Sequence, residues 1–227
     1  MMTSSPNVET ARFNMVEQQI RPWDVLDPVV LDLLFKVRRE EFVAPAYRSM
    51  AFVDAELPLP ATESGAAEIM LAPKVEARLL QELSVGADDT VLEIGTGSGY
   101  MAALLAQRAR QVVTLEIDAA LARFAADNLK RAGVGNVSLR HADGAQGLAA
   151  EAPFDAIVLS GSVPAVPPAL LEQLKPGGRL IAIVGQLPVM RATRFTRTGA
   201  QGFETIELFD TVASRLHGFD EPTRFRF

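Results

Sequence analysis

Residues 91–100 read Val-Leu-Glu-Ile-Gly-Thr-Gly-Ser-Gly-Tyr, and no other stretch narrows the folds open to this chain as far. The apolar pair Val91–Leu92 runs into Glu93, and glycines follow at alternate positions, Gly95, Gly97 and Gly99. A helix-favouring segment, Tyr100–Arg110, begins at once. The order is strand, tight turn, helix start. Only glycine lets a backbone bend this sharply and still come within contact distance of a ligand. The same rhythm continues downstream. Thr90–Ile94, Gln111–Ile117, Val137–His141, Ala156–Ser160 and Arg179–Val184 are predicted strands, with helices at Tyr100–Arg110, Ala119–Ala132 and Pro168–Leu174. Pro176-Gly177-Gly178 reads as a turn ahead of the fifth strand. Short apolar strands alternating with helices require a parallel sheet covered on both faces. Ala192–Thr198 and Phe203–Ala213 add two strands, joined through Gly202 closely enough to pair antiparallel. The expected fold is α/β: a doubly wound, mostly parallel seven-stranded sheet with an N-terminal helical segment and a C-terminal antiparallel hairpin.

Upstream of Thr90 the pattern is helical from Val8 to about Val43. Asp27-Pro28 ahead of Val-Val-Leu-Asp-Leu-Leu-Phe supplies an N-cap acid and a proline at the first helical position. Ala51–Pro60 is irregular to extended, Ala61–Ala67 is a small polar loop, and Lys74–Leu83 is helical with Val75, Leu79 and Leu80 on one face. Residues 1–83 are therefore expected to form a helical, substrate-side segment and residues 84–227 a ligand-binding core, within one compact domain. Phe13, Met15, Val16 and Ile20 are expected to pack on that domain rather than form a lid or a subunit contact. The hydrophobic share of 48% in 227 residues is enough for a full core.

Composition excludes several classes. There is no cysteine, hence no disulfide framework and no thiolate nucleophile, and two histidines are too few for a histidine-rich metal site. The net charge is −6 without a Lys/Arg block, which makes nucleic acid a poor partner. No apolar run approaches a membrane span. The expectation is a cytoplasmic protein without metal.

The glycine spacing is not the Gly-x-Gly-x-x-Gly of nicotinamide sites, in which glycines serve a pyrophosphate. An acid stands ahead of the turn. It would repel pyrophosphate but suits a ligand carrying an ammonium and a sulfonium, which is S-adenosylmethionine. Ligands of open α/β sheets bind at the carboxyl ends of the strands. There Glu116, followed by Ile117, ends the second strand about twenty residues past the first glycine, where such folds place an acid on ribose hydroxyls. Its neighbour Asp118 is a better helix cap. Asp143 after the third strand could accept from an adenine amino group, with Gly144 keeping the approach clear. Ser160-Gly161-Ser162 ends the fourth strand beside the crevice. His141, His217 and Trp23 are expected to be structural.

Further segments extend the pattern: Arg39-Glu-Glu-Phe-Val43, Ala55-Glu-Leu-Pro-Leu59, Pro73 with Val75 and Ala77-Arg78, Val137–Gly144, Pro153-Phe-Asp-Ala-Ile157, and Gln173-Leu174 through Gly177-Gly178 to Val184-Gly185. With Val91–Tyr100 these make residues 27–213 resemble the protein-L-isoaspartate O-methyltransferase family. The glycine turn alone resembles the Rossmann-like class I methyltransferases at large; the Arg-Glu-x-Phe-Val and Leu-Pro-Leu segments single out this family. The resemblance implies a cofactor site from Glu93, Ile94, Gly95, Thr96, Gly97, Ser98 and Gly99, with Glu116 and Asp143. It implies methylation of the α-carboxylate of L-isoaspartyl residues in damaged proteins, with S-adenosylhomocysteine as the other product. On the substrate side the chain departs from the family. Where the family carries Gly-Gln-Thr-Ile-Ser-Gln-Pro, this chain has Glu68-Ile-Met-Leu-Ala-Pro73, so that Leu71 stands at the serine position. Thr62 or Ser64, in the longer preceding loop, could return a hydroxyl. Arg215-Leu-His-Gly-Phe219 likewise replaces the family's Arg-Phe-Val-Pro. Two alternatives stay open: a different small carboxylate or phenol as acceptor, and a non-catalytic protein that binds the cofactor.

Overall fold

The structure, a computed structural model, describes residues 6–63, 65–200 and 202–219. Two strands of the N-terminal part, β1 (Leu57–Pro58) and β2 (Ile69–Met70), pair antiparallel. The main sheet comprises β3 (Thr90–Ile94), β4 (Gln111–Glu116), β5 (Val137–His141), β6 (Phe154–Val163), β7 (Leu174–Gln186), β8 (Val189–Arg197) and β9 (Phe203–Thr211). Its order is β5-β4-β3-β6-β7-β8-β9. The first five neighbours run parallel, and β8 and β9 close the edge as antiparallel partners. The chain steps outward from β3 to β5 and then crosses back to lay β6 on the other side of β3. That reversal opens a crevice at the strand ends, where doubly wound sheets bind ligands.

Strand alternation explains how the sheet is covered. Val91, Val112, Val158 and Ile181 face one way, into a core shared with the N-terminal helices, α3 (Pro73–Leu83) and α4 (Tyr100–Ala106). Leu92, Val113, Ile157 and Leu180 face the other way, toward Leu170 of α6 (Pro168–Glu172) and Phe219. Both faces are apolar because both are buried. The helix α5 (Ala119–Arg131) is amphipathic, with Leu121, Ala125 and Leu129 inward.

Three expectations are corrected. The N-terminal segment is not one helical run. The helix α1 (Pro6–Asn14) widens into a π-helical turn, Met15–Ile20, and then a 3-10 turn, Arg21–Trp23, which ends at Asp24 with φ 59°. The wider turn brings Met15, Val16 and Ile20 inward together, all fully buried, and leaves Phe13 outside. The helix α2 (Pro28–Lys36) starts as expected, with the Asp27 carboxylate accepting from the Val29 N–H. Second, Pro176-Gly177-Gly178 is not a turn before β7 but an irregularity within it. The register passes from Phe154↔Leu174 to Ala156↔Arg179, so several residues of β7 oppose one of β6. Third, α6 stops short at Glu172. The Gln173 side chain ends it by donating to the carbonyls of Ala169 and Gln146 and accepting from the Leu148 N–H.

Candidate active site

A cavity of about 360 Å³ opens at the carboxyl ends of β3, β4 and β6. The first turn contributes Ile94, Gly95 and Gly97, the end of β4 contributes Glu116 and Ile117, and Gly144, Ser160 and Gly161 complete the floor. The far end is walled by Leu59, Thr62, Glu68, Ile69 and Leu71 from the β1–β2 hairpin and by Ser214–His217 after β9.

The glycine turn works by backbone shape. Gly95, Gly97 and Gly99 have φ of 91°, 53° and 82°, a region costly for other residues. The glycine at 144 answers a different need. A Cβ there would sit 2.5 Å from Ile94 Cγ2, so any side chain would push into the wall of the cavity.

Glu116 is positioned by the turn it faces. Its Oε2 accepts from the Gly97 N–H at 2.8 Å and its Oε1 from the Asp118 N–H at 3.0 Å. Burial raises its pKa, opposed by these backbone N–H donors. Each oxygen keeps an unused lone pair, so the carboxylate can accept from two adjacent hydroxyls. Asp118 caps α5 by accepting from Ala120 and Leu121 N–H, and it also accepts from Glu63 N–H. Burial works against its charge, but those donors prevail and lower its pKa.

The other acid of the turn has a different place. Glu93 is fully buried and is not on the cavity wall. It lies beneath the wall, opposite Thr114 in the β3–β4 register, and accepts from the Thr114 hydroxyl at 2.7 Å and the Ser160 hydroxyl at 2.8 Å. Burial pushes it up to about 8, against those two hydroxyl donors. Thr96 joins the network through its contact with Thr114 Oγ1 at 2.6 Å. Ser98 and Gly99 also face away from the cavity: the Ser98 carbonyl accepts from Asn128, and Gly99 packs on Ala125 and Leu129. Asp143 is exposed, accepts from the Ala145 N–H at 2.9 Å and lies against Gly218 rather than on the wall. Ser64 lies outside the described residues.

At the far end Leu71 is buried and lines the cavity. Its carbonyl accepts from Arg39 Nη2 at 2.7 Å, while Arg39 Nη1 donates to the Ala51 carbonyl at 3.1 Å. The buried guanidinium lies 3.7 Å from Glu76 Oε2 and 5.8 Å from the Tyr100 ring centre. Burial carries Glu76 up to about 7, with Arg39 opposing, and raises the Tyr100 phenol as well. Arg39 thus holds the far wall of the cavity onto the core, which the sequence signals only as part of Arg-Glu-Glu-Phe-Val. Glu68 and His217 on the same wall were not singled out as site residues, because only the fold brings them together. His141 and Trp23 stay apart from the cavity: His141 Nε2 meets the Ile117 carbonyl, and Trp23 stacks under the Lys74 ammonium.

The cavity fits S-adenosylmethionine by its chemistry. It offers a carboxylate with free lone pairs for a ribose diol, a glycine cradle against which side chains would clash, and an apolar wall of Ile94, Leu115, Ile117 and Leu121 for a flat base.

A profile of the protein-L-isoaspartate(D-aspartate) O-methyltransferase (PCMT) family matches residues 11–210. A protein-L-isoaspartate O-methyltransferase of Koribacter versatilis is 38% identical over 92% of this chain and 93% of its own length. Protein-L-isoaspartate O-methyltransferase 2 of Syntrophobacter fumaroxidans is 46% identical over 70% of this chain, a match spanning 63% of that relative. A solved protein-L-isoaspartate O-methyltransferase superposes with a TM-score of 0.79 at 24% identity, over 93% of this chain and 66% of that one, a likeness of fold.

Proposed function

Because this chain belongs to the protein-L-isoaspartate O-methyltransferase family, we propose that it transfers a methyl group from S-adenosylmethionine to the α-carboxylate of L-isoaspartyl residues in damaged proteins. The observation that carries the reading is the continuity of one cavity from the glycine turn and Glu116 to the wall around Leu71. Bound there, S-adenosylmethionine supplies a methyl group activated by its sulfonium. Glu116 takes the ribose hydroxyls, the glycine turn and Gly144 leave room for the nucleoside and amino-acid portions, and Glu93 holds Thr114 and Ser160 from below. Residues 1–83 supply most of the acceptor side, with Leu59, Ile69 and Leu71 excluding water from the reacting end. A carboxylate acceptor is already ionised near neutral pH, so the chain needs no general base. Its task is to place two groups in line and keep water out. The methyl ester formed closes to a succinimide with loss of methanol, and hydrolysis of that ring returns part of the material to normal aspartate. The same reading has the enzyme acting in the cytoplasm; no helix of the described residues is long and apolar enough to cross a membrane.

The test is to incubate an L-isoaspartyl peptide with the protein and S-adenosylmethionine and to follow the peptide by chromatography. Conversion to the aspartyl form through a succinimide is expected. An unchanged peptide, with calorimetry showing that the cofactor binds, would contradict the reading. The apolar side chains of Leu59, Ile69 and Leu71 favour a second possibility, a small phenol or carboxylate acceptor, and faster labelling of such molecules than of the peptide would select it.

A further inference from the structure

A polar pair closes the acceptor end of the cavity. His217 Nε2 lies 2.7 Å from Glu68 Oε1, across 149 residues of sequence. Glu68 enters from the segment leading into β2; His217 enters from the segment after β9, which is tied to β6 by the Ser162↔Arg215 bridge and by the Leu216 N–H donating to the Ser162 carbonyl. Both side chains line the cavity beside Leu71. The carboxylate is the more sheltered partner, with a side chain 19% exposed against 56% for the imidazole. Glu68 is therefore the fixed member, and the imidazole is the member that meets whatever enters the mouth. The described residues give His217 no second hydrogen bond, so Nδ1 is available to a ligand.

The position makes chemical sense only for a particular acceptor. Leu71 offers no hydroxyl where the resemblance expects one. A bare Glu68 would repel an anionic acceptor. Paired with an imidazolium it is neutralised, and the imidazolium has one N–H for Glu68 and a second for another carboxylate. The other charged side chains on the cavity are Arg215, Glu116 and Asp118. Arg215 Nη2 donates to the Gly185 carbonyl, and Asp143 lies against Gly218.

We propose that His217, oriented by Glu68, is the specificity-determining group of the acceptor site. Its Nδ1–H binds the acceptor carboxylate and does the placing that a hydroxyl at position 71 would otherwise do. The proposal rests on the isoaspartyl reading above. With Nε2–H donated to Glu68, the ring binds an acceptor carboxylate only through a hydrogen on Nδ1.

The experiment is steady-state methyl transfer to an L-isoaspartyl peptide at saturating S-adenosylmethionine, between about pH 5 and 8, the interval in which histidines as a class change charge. Wild type, His217→Gln and Glu68→Gln are compared, with calorimetric affinity for S-adenosylmethionine as the control. His217→Gln should have a KM for the peptide about tenfold above wild type, kcat within about threefold and unchanged cofactor affinity. Glu68→Gln should move in the same direction by less. A His217→Gln enzyme that keeps the wild-type KM overturns the proposal while leaving isoaspartyl methylation intact. A wild-type rate that rises with pH and collapses in His217→Gln also overturns it, since that is a general base acting on a hydroxyl. A wild type that binds cofactor yet methylates no isoaspartyl peptide sinks the parent reading and this proposal together.

Discussion

Glu93 and Glu116 are both carboxylates at strand ends beside the glycine turn, and their surroundings divide their tasks. Glu116 faces the cavity with its charge supported by backbone N–H groups, whereas Glu93 is sealed under the wall with two hydroxyls. Glu116→Ala should weaken S-adenosylmethionine binding about ten- to hundredfold by calorimetry, the worth of one or two hydrogen bonds to a charged group. Glu93 makes a different prediction. Its pKa of about 8 in the fold lies above the 4.5 of an unperturbed glutamate, and Glu76 at about 7 is shifted the same way. Between those values the folded protein holds protons that the unfolded chain has released, so these groups make stability fall as pH rises from about 4.5 to about 8. Chemical denaturation across that range should show the fall, and Glu93→Gln should flatten it. An unchanged slope in the variant would remove Glu93 as its source. The sequence marks both acids by their distance from the turn. It cannot separate them, because the separation depends on Thr114 standing opposite Glu93 across β3 and β4.

Among the elements, strands β3, β4 and β5 and helices α2 and α5 were legible from apolar runs, caps and the proline at the start of α2. What escaped was the work of single side chains and local irregularities: the π-turn at Met15–Ile20, the bulge at the start of β7, and the stop that Gln173 imposes on α6. These depend on contacts between distant segments, to which local periodicity is blind. The Arg39 clamp is the most consequential of them. It ties the Leu71 and Ala51 carbonyls to a buried guanidinium beside Glu76. Arg39→Ala leaves Glu76 buried without its cation and should cost about 3–5 kcal/mol in urea unfolding. Arg39→Lys should recover only part of it, because an ammonium cannot reproduce the forked donation. A loss under about 1 kcal/mol for Arg39→Ala would show that the clamp is slack. Leu71→Ser, which restores the hydroxyl of the resemblance at a buried apolar position, should cost roughly 2–5 kcal/mol in the same assay.

For the whole molecule, the cavity exists only because three stretches far apart in sequence converge: the β1–β2 hairpin, the ends of the parallel strands and the segment after β9. Of the residues that the short motifs mark for a cofactor, Ile94, Gly95, Gly97, Glu116, Ile117, Gly144 and Ser160 line the cavity, whereas Glu93, Thr96, Ser98, Gly99 and Asp143, marked by the same motifs, do not, because a motif fixes the turn but not the direction of each side chain. The pairing of Glu68 with His217 is visible in no motif, since the two meet only in the folded chain. A ligand bridging such a cavity stabilises the fold as a unit, by about 2.7 kcal/mol at a hundredfold excess over its dissociation constant. Thermal melts should therefore shift upward by several degrees with S-adenosylmethionine or S-adenosylhomocysteine, and the shift should shrink in Glu116→Ala. The most direct measurement is transfer of labelled methyl from S-adenosylmethionine to an L-isoaspartyl peptide, run beside the same peptide with normal aspartate. Base-labile label on the isoaspartyl peptide alone is the expected result. Equal labelling of both peptides, or none on either while the cofactor binds, would contradict it.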